Sequence, residues 1–298
     1  MDTRFLESFV AVVDCGSIAE AARRLNLTPA ALAQRLRTLE KNLGHSLVMR
    51  AGRHVRPTAS GLAILEPTRR LIENARDLRA IAAQDVPAGQ LRLGAIATSL
   101  TGLLPEIIAR LRDRHPKIEY YIRPDSSVNL YHGVVGGELD AAMMVLPQFT
   151  VPKSTRWITL RHEKLILIAP HDLANDNTRE LLTKHPFIRY DRNQWGGQVV
   201  DHYLRQNGIK VQEWLELDAL DAIAGMVSRG LGVAIVPNWS PPWPEGLRLR
   251  KHHLQEAGGR QVGVLWNRSG ARIAALQAFI TACEALNLEQ GTSSRQDR

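Results

Sequence analysis

Apolar positions at the start of the chain recur with helical spacing. Phe5, Phe9, Val12 and Val13 form one stripe and predict a first helix ending near Cys15-Gly16. Ser17, with Glu20 three residues on, has the form of a capping box; it predicts a second helix over residues 18–25 with Ala19, Ala22 and Leu25 turned inward. Thr28-Pro29 is another helix start, an N-cap followed by proline at the first helical position. In the helix that follows, Leu32, Leu36, Leu39 and Leu43 lie on one stripe facing a core, and Ala30, Ala33, Gln34, Arg37 and Lys41 lie opposite. Beyond Leu43-Gly44, two short extended pieces around Ala51-Gly52 cluster Arg50, Arg53 and Arg56, the pattern of a β-wing. Three helices and a wing make a winged helix-turn-helix, and the stretch between Thr28 and Lys41 is the face that can enter a major groove.

The period then changes. Ile64, Thr68, Leu71, Ala75, Leu78 and Ala82 alternate spacings of four and three, while Arg69, Arg70, Glu73, Arg76, Asp77 and Arg79 occupy the other faces. This repeat predicts a long helix with an apolar seam, better suited to a second copy of the chain than to the core of one domain. Pro67 either kinks that helix or falls in its first turn. QDVPAGQ, residues 84–90, reads as a linker. Strands and helices alternate after it: strands at 91–98, 118–122, 139–145, 164–168, 187–190, 212–217, 232–236 and 262–266, with helices at 103–114, 128–136, 198–207, 219–229 and 272–288. That is α/β grammar, and residues past Glu289 read as a flexible tail.

Composition narrows the function. With 298 residues and 44% hydrophobic content the chain can fold as two or three globular domains. Its net charge is +8, and between Arg23 and Arg56 the only acid is Glu40 against eight Lys or Arg residues. Such a patch suits phosphate neutralisation, which favours DNA over the alternative of a helical hairpin with a merely solvated face. No apolar run approaches the ~18 residues that span a bilayer, and the amino terminus lacks a signal-peptide pattern, so a cytoplasmic protein without a membrane partner is expected. Cys15 and Cys283 offer neither a CxxC pair nor a disulfide framework. Histidines without ligand companions predict no metal site, and the absence of a Gly-x-Ser-x-Gly, a Walker loop or paired catalytic carboxylates points to no cofactor and no enzyme activity. Gly230-Leu231-Gly232 lacks the third glycine of a dinucleotide motif.

These residues resemble the LysR-type transcriptional regulators. The resemblance is carried by Phe9, Gly16-Ser17, Ala21-Ala22, Leu25, Thr28, Leu39-Glu40, Leu43-Gly44, Leu47, Arg50, and Thr58 with Gly61. Pro29-Ala30, Ala33 and Val48 depart from the residues most frequent in the family at those places. The resemblance implies DNA contacts from Thr28, Pro29, Ala30, Ala33 and Gln34, joined by Arg35, Arg37, Arg50 and Arg53. It implies an antiparallel dimer through Ile64, Leu71, Ala75 and Leu78, homotetramers built from two dimer types, and RNA polymerase as a further candidate partner. It also implies a two-lobed, periplasmic-binding-protein-like (type 2) effector domain. The expected division is residues 1–60 for the winged helix, 61–87 for the linker helix and 88–298 for the effector domain, with lobe I at about 90–161 and 267–290 and lobe II at about 162–266.

Effector residues follow from a rule of α/β sheets: ligands sit at the carboxyl ends of strands, beside helix N-termini. Thr98-Ser99 and Ser126-Ser127 occupy such turns, which in the family touch the effector; from the second lobe, Tyr190, Asn193, Trp195, Pro237 and Asn238 follow strands. An organic acid, amino acid or aromatic acid is the expected class of ligand. The expected function is ligand-responsive regulation of transcription on double-stranded DNA. The alternative is a cytosolic solute-binding or receptor module whose basic amino-terminal part docks a partner.

Overall fold

A computed structural model describes residues 2–52, 54–82, 87–173, 177–254, 257–268 and 272–296. The chain divides into two compact units, residues 1–84 and 85–298.

The first unit runs α1 (Thr3–Cys15), α2 (Ile18–Arg24), α3 (Pro29–Leu43), β1 (Val48–Ala51), β2 (His54–Pro57) and α4 (Ala59–Ala82). The expected starts and stops are the observed ones. Ser17 Oγ accepts from the Glu20 N–H, Thr28 Oγ1 accepts from the Ala31 N–H, and Gly16 and Gly44 close α1 and α3 with φ of 62° and 71°. Its core joins Leu6, Phe9, Leu36, Leu39, Leu47 and Ile72, with Ala11, Val12, Ala21, Ala22 and Leu32 alongside. Two inward assignments change: Ala19 is exposed and Ala21 is buried in its place, while Leu43, in the last residue of α3 and a turn beyond Leu39, is 37% exposed.

The spaced motif residues hold the wing to the helices. Glu40 Oε1 accepts from the N–H groups of Leu47 and Val48 at 2.8 and 3.3 Å. Thr58 Oγ1 donates to the Ser46 carbonyl at 2.7 Å and accepts from the Gly61 N–H at 3.0 Å. A side chain at position 61 would place its Cβ 2.0 Å from the Leu47 carbonyl oxygen, so only glycine fits under the wing. The Val55 N–H donates to the Gly16 carbonyl at 2.8 Å, tying β2 to the turn between α1 and α2.

Pro67 lies inside α4, not in its first turn. The repeat along this helix is divided between two environments. Ile64 packs against the core and Thr68 is buried, so these positions are satisfied within the chain. Leu71 is 46% exposed, Ala75 is half-buried, and the Leu78 side chain lies outside the described residues.

The second unit runs β3 (Gly89–Ala95), α5 (Ala97–Thr101), α6 (Leu103–Arg114), β4 (Ile118–Pro124), α7 (Ser127–Val135), β5 (Ala141–Val145) and β6 (Thr155–Pro170). It continues with α8 (Thr178–Lys184), β7 (Pro186–Tyr190), α9 (Trp195–Gln206), β8 (Gln212–Leu217), α10 (Leu220–Ser228), β9 (Ala234–Pro237), β10 (Leu249–His253), β11 (Gly259–Asn267) and α11 (Ile273–Gln296). The main sheet has the order β10-β6-β11-β5-β3-β4, with β9 also paired to β6. β3 is parallel to β4 and β5, as the βα alternation predicts, and β7 is parallel to β8.

Two cores sit on this frame. One gathers Leu91, Leu93, Ile107, Leu130, Met143 and Phe279 among others; the second gathers Leu167, Phe187, Ile188, Val200, Ile223 and Ile235. β6 serves both: residues 155–164 pair with β11, and residues 165–170 pair with β9 and β10. The expected lobe boundary near residue 161 therefore falls inside one continuous strand. Further differences are local. β3 stops at Ala95, and Thr98 lies in the short helix α5, with Ser99 and Leu100 N–H groups turning back to the Ile96 carbonyl. α8 and β10 were not anticipated, and the backbone is helical to Gln296, where a flexible tail was expected.

Candidate functional site

Burial of Leu32, Leu36 and Leu39 turns the opposite face of α3 outward. Thr28, Pro29, Ala30, Gln34 and Arg37 are exposed on it, and Ala33 and Arg35 are half-buried. Arg37 Nη2 donates to Gln34 Oε1 at 2.9 Å, which holds an amide and a guanidinium together on the surface. Small side chains at the amino end allow close backbone approach, and the amide and guanidinium beyond them have the groups that bind base edges and phosphates. Arg50 on β1 and Arg56 on β2 are exposed on the wing; Arg53 lies outside the described residues.

In the second unit a cavity of about 380 Å³ opens at the carboxyl ends of four strands. Ile96, Ala97 and Thr98 follow β3; Pro124 to Ser127 follow β4; Tyr190, Gln194 and Gly196 follow β7; Asp218 to Asp221 follow β8. Arg260, from β11, completes the lining. Its guanidinium is nearly inaccessible to water: Nε donates to Glu163 Oε2 at 2.7 Å, Nη2 to Thr98 Oγ1 at 3.0 Å and Nη1 to the Tyr190 hydroxyl at 3.4 Å. It thus joins a residue of the first core's side to one of the second's. Burial is the main cause that raises the Tyr190 phenol above its ordinary pKa, against the opposing charge of Arg260, so the hydroxyl keeps its proton. Asp218 is pushed up to about 6, by burial first and then by the charge of Asp191, with Arg260 pulling the other way.

Comparison with known proteins decides what these two parts belong to. The family model described as "Bacterial regulatory helix-turn-helix protein, lysR family" matches residues 3–62, and that described as "LysR substrate binding domain" matches residues 84–287. The chain belongs to the LysR family. The LysR-type regulators similar to it include YnfL of Escherichia coli, 29% identical over 80% of this chain and 82% of the relative, and YofA of Bacillus subtilis, 28% identical over 80% and 81%. Solved structures of the same fold include CbnR in complex with its target DNA, at TM-score 0.66 and 19% identity, covering 96% of this chain and all of that one. The hydrogen-peroxide-bound OxyR of Corynebacterium glutamicum matches at TM-score 0.61 and 23% identity over 97% and 96%. As a LysR-type protein the chain is a DNA-binding transcriptional regulator with a winged helix-turn-helix and an effector-binding domain of the periplasmic-binding-protein type.

The residues expected to bind an effector divide around the LysR-type cavity. Thr98, Ser126, Ser127 and Tyr190 line it. Ser127 Oγ also accepts from the Val145 N–H at 3.1 Å, and Ser126 Oγ caps α7 through the Asn129 N–H at 3.3 Å. Ser99, Asn193, Trp195, Pro237 and Asn238 are not among its lining residues. Ser99 is buried; Asn193 donates to Asp191 through its backbone and side-chain nitrogens; Trp195 packs edge-on to Tyr131 and Phe149; Pro237 is paired with Leu165 in the sheet. Arg260, Glu163, Gln194, Asp125, Asp218 and Asp221 were not anticipated at the site. Asp218 and Asp221 share the signal that pointed to Ser126, a strand end followed by a helix start, whereas Arg260 and Glu163 meet across 97 residues with no local pattern.

Proposed function

We propose that the protein reads promoter DNA through Thr28, Pro29, Ala30, Ala33, Gln34, Arg35 and Arg37 of α3 and through the wing arginines Arg50 and Arg53, and that a small molecule in the cavity changes its regulatory output. The observation that carries the DNA reading is the outward face of α3, an exposed Gln34–Arg37 pair beside small residues and across from a buried leucine stripe. The effector lies between the ends of β3 and β4 and those of β7 and β8, in contact with Thr98, Ser126, Ser127 and Tyr190. The working divisions are residues 1–60, 61–87 and 88–298. The protein acts in the cytoplasm, where its DNA is. Self-association runs through the exposed part of α4, where Leu62 and Leu71 present 60% and 46% of their surface, and leads to dimers and homotetramers; RNA polymerase is engaged at the promoter.

No catalytic role is assigned. The similar proteins are regulators, no helix among the described residues is long and apolar enough to cross a membrane, and no metal-holding cluster occurs among them. The test is a gel-shift titration on the DNA upstream of the protein's own gene. Arg37→Ala is expected to weaken binding about tenfold or more, the scale of one lost charged contact of about 1–3 kcal/mol. Unchanged affinity would remove α3 from the interface.

A further inference from the structure

The cavity is lined by three acids, Asp125, Asp218 and Asp221, against one cation, Arg260. Arg260 is already neutralised by Glu163 at 2.7 Å, with both side chains buried. Asp125 is also engaged: its Oδ1 accepts from the Ser126 N–H at 2.8 Å and from Asn129 Nδ2 at 2.7 Å, and its Oδ2 lies 3.9 Å from Arg123 Nε. Asp218 and Asp221 are different, since among the described residues neither is joined to a cation.

Helix N-termini favour negative charge, and α7 and α10 both begin at the cavity. Ser126 Oγ serves α7, however, and Asp218 and Asp221 bring two carboxylates to the start of α10. A ligand carboxylate entering there meets fixed charge of its own sign in a partly desolvated space, where repulsion is strong. A cation meets the reverse. It would also oppose the causes that hold the Asp218 carboxyl up, the loss of water and the charge of Asp191.

We propose that the effector carries a cationic nitrogen, an amine or a guanidinium, seated against Asp218 and Asp221, with its other polar groups toward Thr98 and Ser126. The proposal rests on the reading of this cavity as the effector site. It sets aside a plain organic or aromatic acid and retains an amino acid, whose ammonium group meets the same requirement.

The experiment is thermal shift and calorimetric titration of the full chain with 1,4-diaminobutane, agmatine and lysine, alongside succinate and benzoate, at millimolar concentration. At least one nitrogen-bearing probe is expected to raise the melting temperature, and neither plain carboxylate is. The double variant Asp218→Asn/Asp221→Asn is expected to lose about tenfold or more in affinity for that probe, the scale of one charge-assisted contact. Asp113→Asn, on the exposed surface of α6, is expected to bind as the parent does. An amine response that survives the double variant, or none from any of the three amines, overturns the proposal. Stabilisation by succinate or benzoate that is lost in Thr98→Ala/Ser126→Ala overturns it too, while leaving the cavity as the effector site.

Discussion

Asp218 ties the chemistry of the cavity to the stability of the protein. Its carboxyl titrates near 6 in the folded chain, above the ordinary value of 3.8. A raised acid contributes stability that is fully present below the unfolded pKa and is lost as pH rises through the folded one. Asp218→Asn removes that titration. The melting temperature of the variant relative to the parent is therefore expected to climb between about pH 4 and pH 6 and to level off above, and a pH-independent difference in thermal unfolding would contradict the assignment. The two cysteines differ on the same grounds. Burial, followed by the charge of Glu284, pushes the Cys283 thiol up to about 12, whereas Cys15 is half-buried in α1. Because the thiolate is the reactive form, maleimide is expected to label Cys15 well before Cys283 in the native protein, as read by mass spectrometry of digests. Equal rates would show that the last helix opens readily around Cys283.

At the scale of elements, caps and close contacts decide where helices stop and how the wing is held. Glu40 is the one acid in the basic stretch from Arg23 to Arg56, and its carboxylate accepts from two wing N–H groups. Glu40→Ala leaves those groups without the partner and is expected to cost about 1–3 kcal/mol in the unfolding of the first unit, measured by denaturant titration. A smaller loss than that of Thr28→Ala, about 1 kcal/mol for a missing N-cap, would mean that water replaces the carboxylate without penalty. α4 offers a comparison of neighbours. Ile72 is buried in the core and Leu71 is half-exposed beside it. Leu71→Glu is expected to leave unfolding within about 0.5 kcal/mol of the parent while shifting sedimentation toward the monomer; Ile72→Ala is expected to cost about 2–5 kcal/mol. Unaltered sedimentation in Leu71→Glu would place self-association elsewhere.

For the whole molecule, what was legible in the sequence is what depends on near neighbours along the chain. Ser17, Thr28-Pro29 and Gly44 mark helix ends because caps are local, and the leucines of α3 mark its buried face because a helix repeats within one element. Two kinds of feature were hidden. One is structure set by distant packing: β6 runs for 16 residues because β11 pairs with its first part and β9 and β10 with its second, and nothing in Thr155 to Lys164 alone states that. α9 begins at Trp195, ahead of the expected start, because Gly196-Gly197 there is close contact and not a break; a Cβ on Gly197 would lie 1.9 Å from the Asp191 carbonyl oxygen. The other is the interior of the cavity. The turns holding Thr98 and Ser126 could be found from strand and helix order, but the Arg260–Glu163 pair exists only once β11 lies on β6.

The account as a whole stands on DNA binding through the basic winged helix. The most direct test is the affinity of the full chain for its own promoter duplex as salt is raised from about 50 to 200 mM. A log–log slope of several units is expected, about 0.9 for each phosphate neutralised, and Arg50→Ala is expected to reduce it by about one. Binding that is absent, or that does not weaken with salt, would contradict the account.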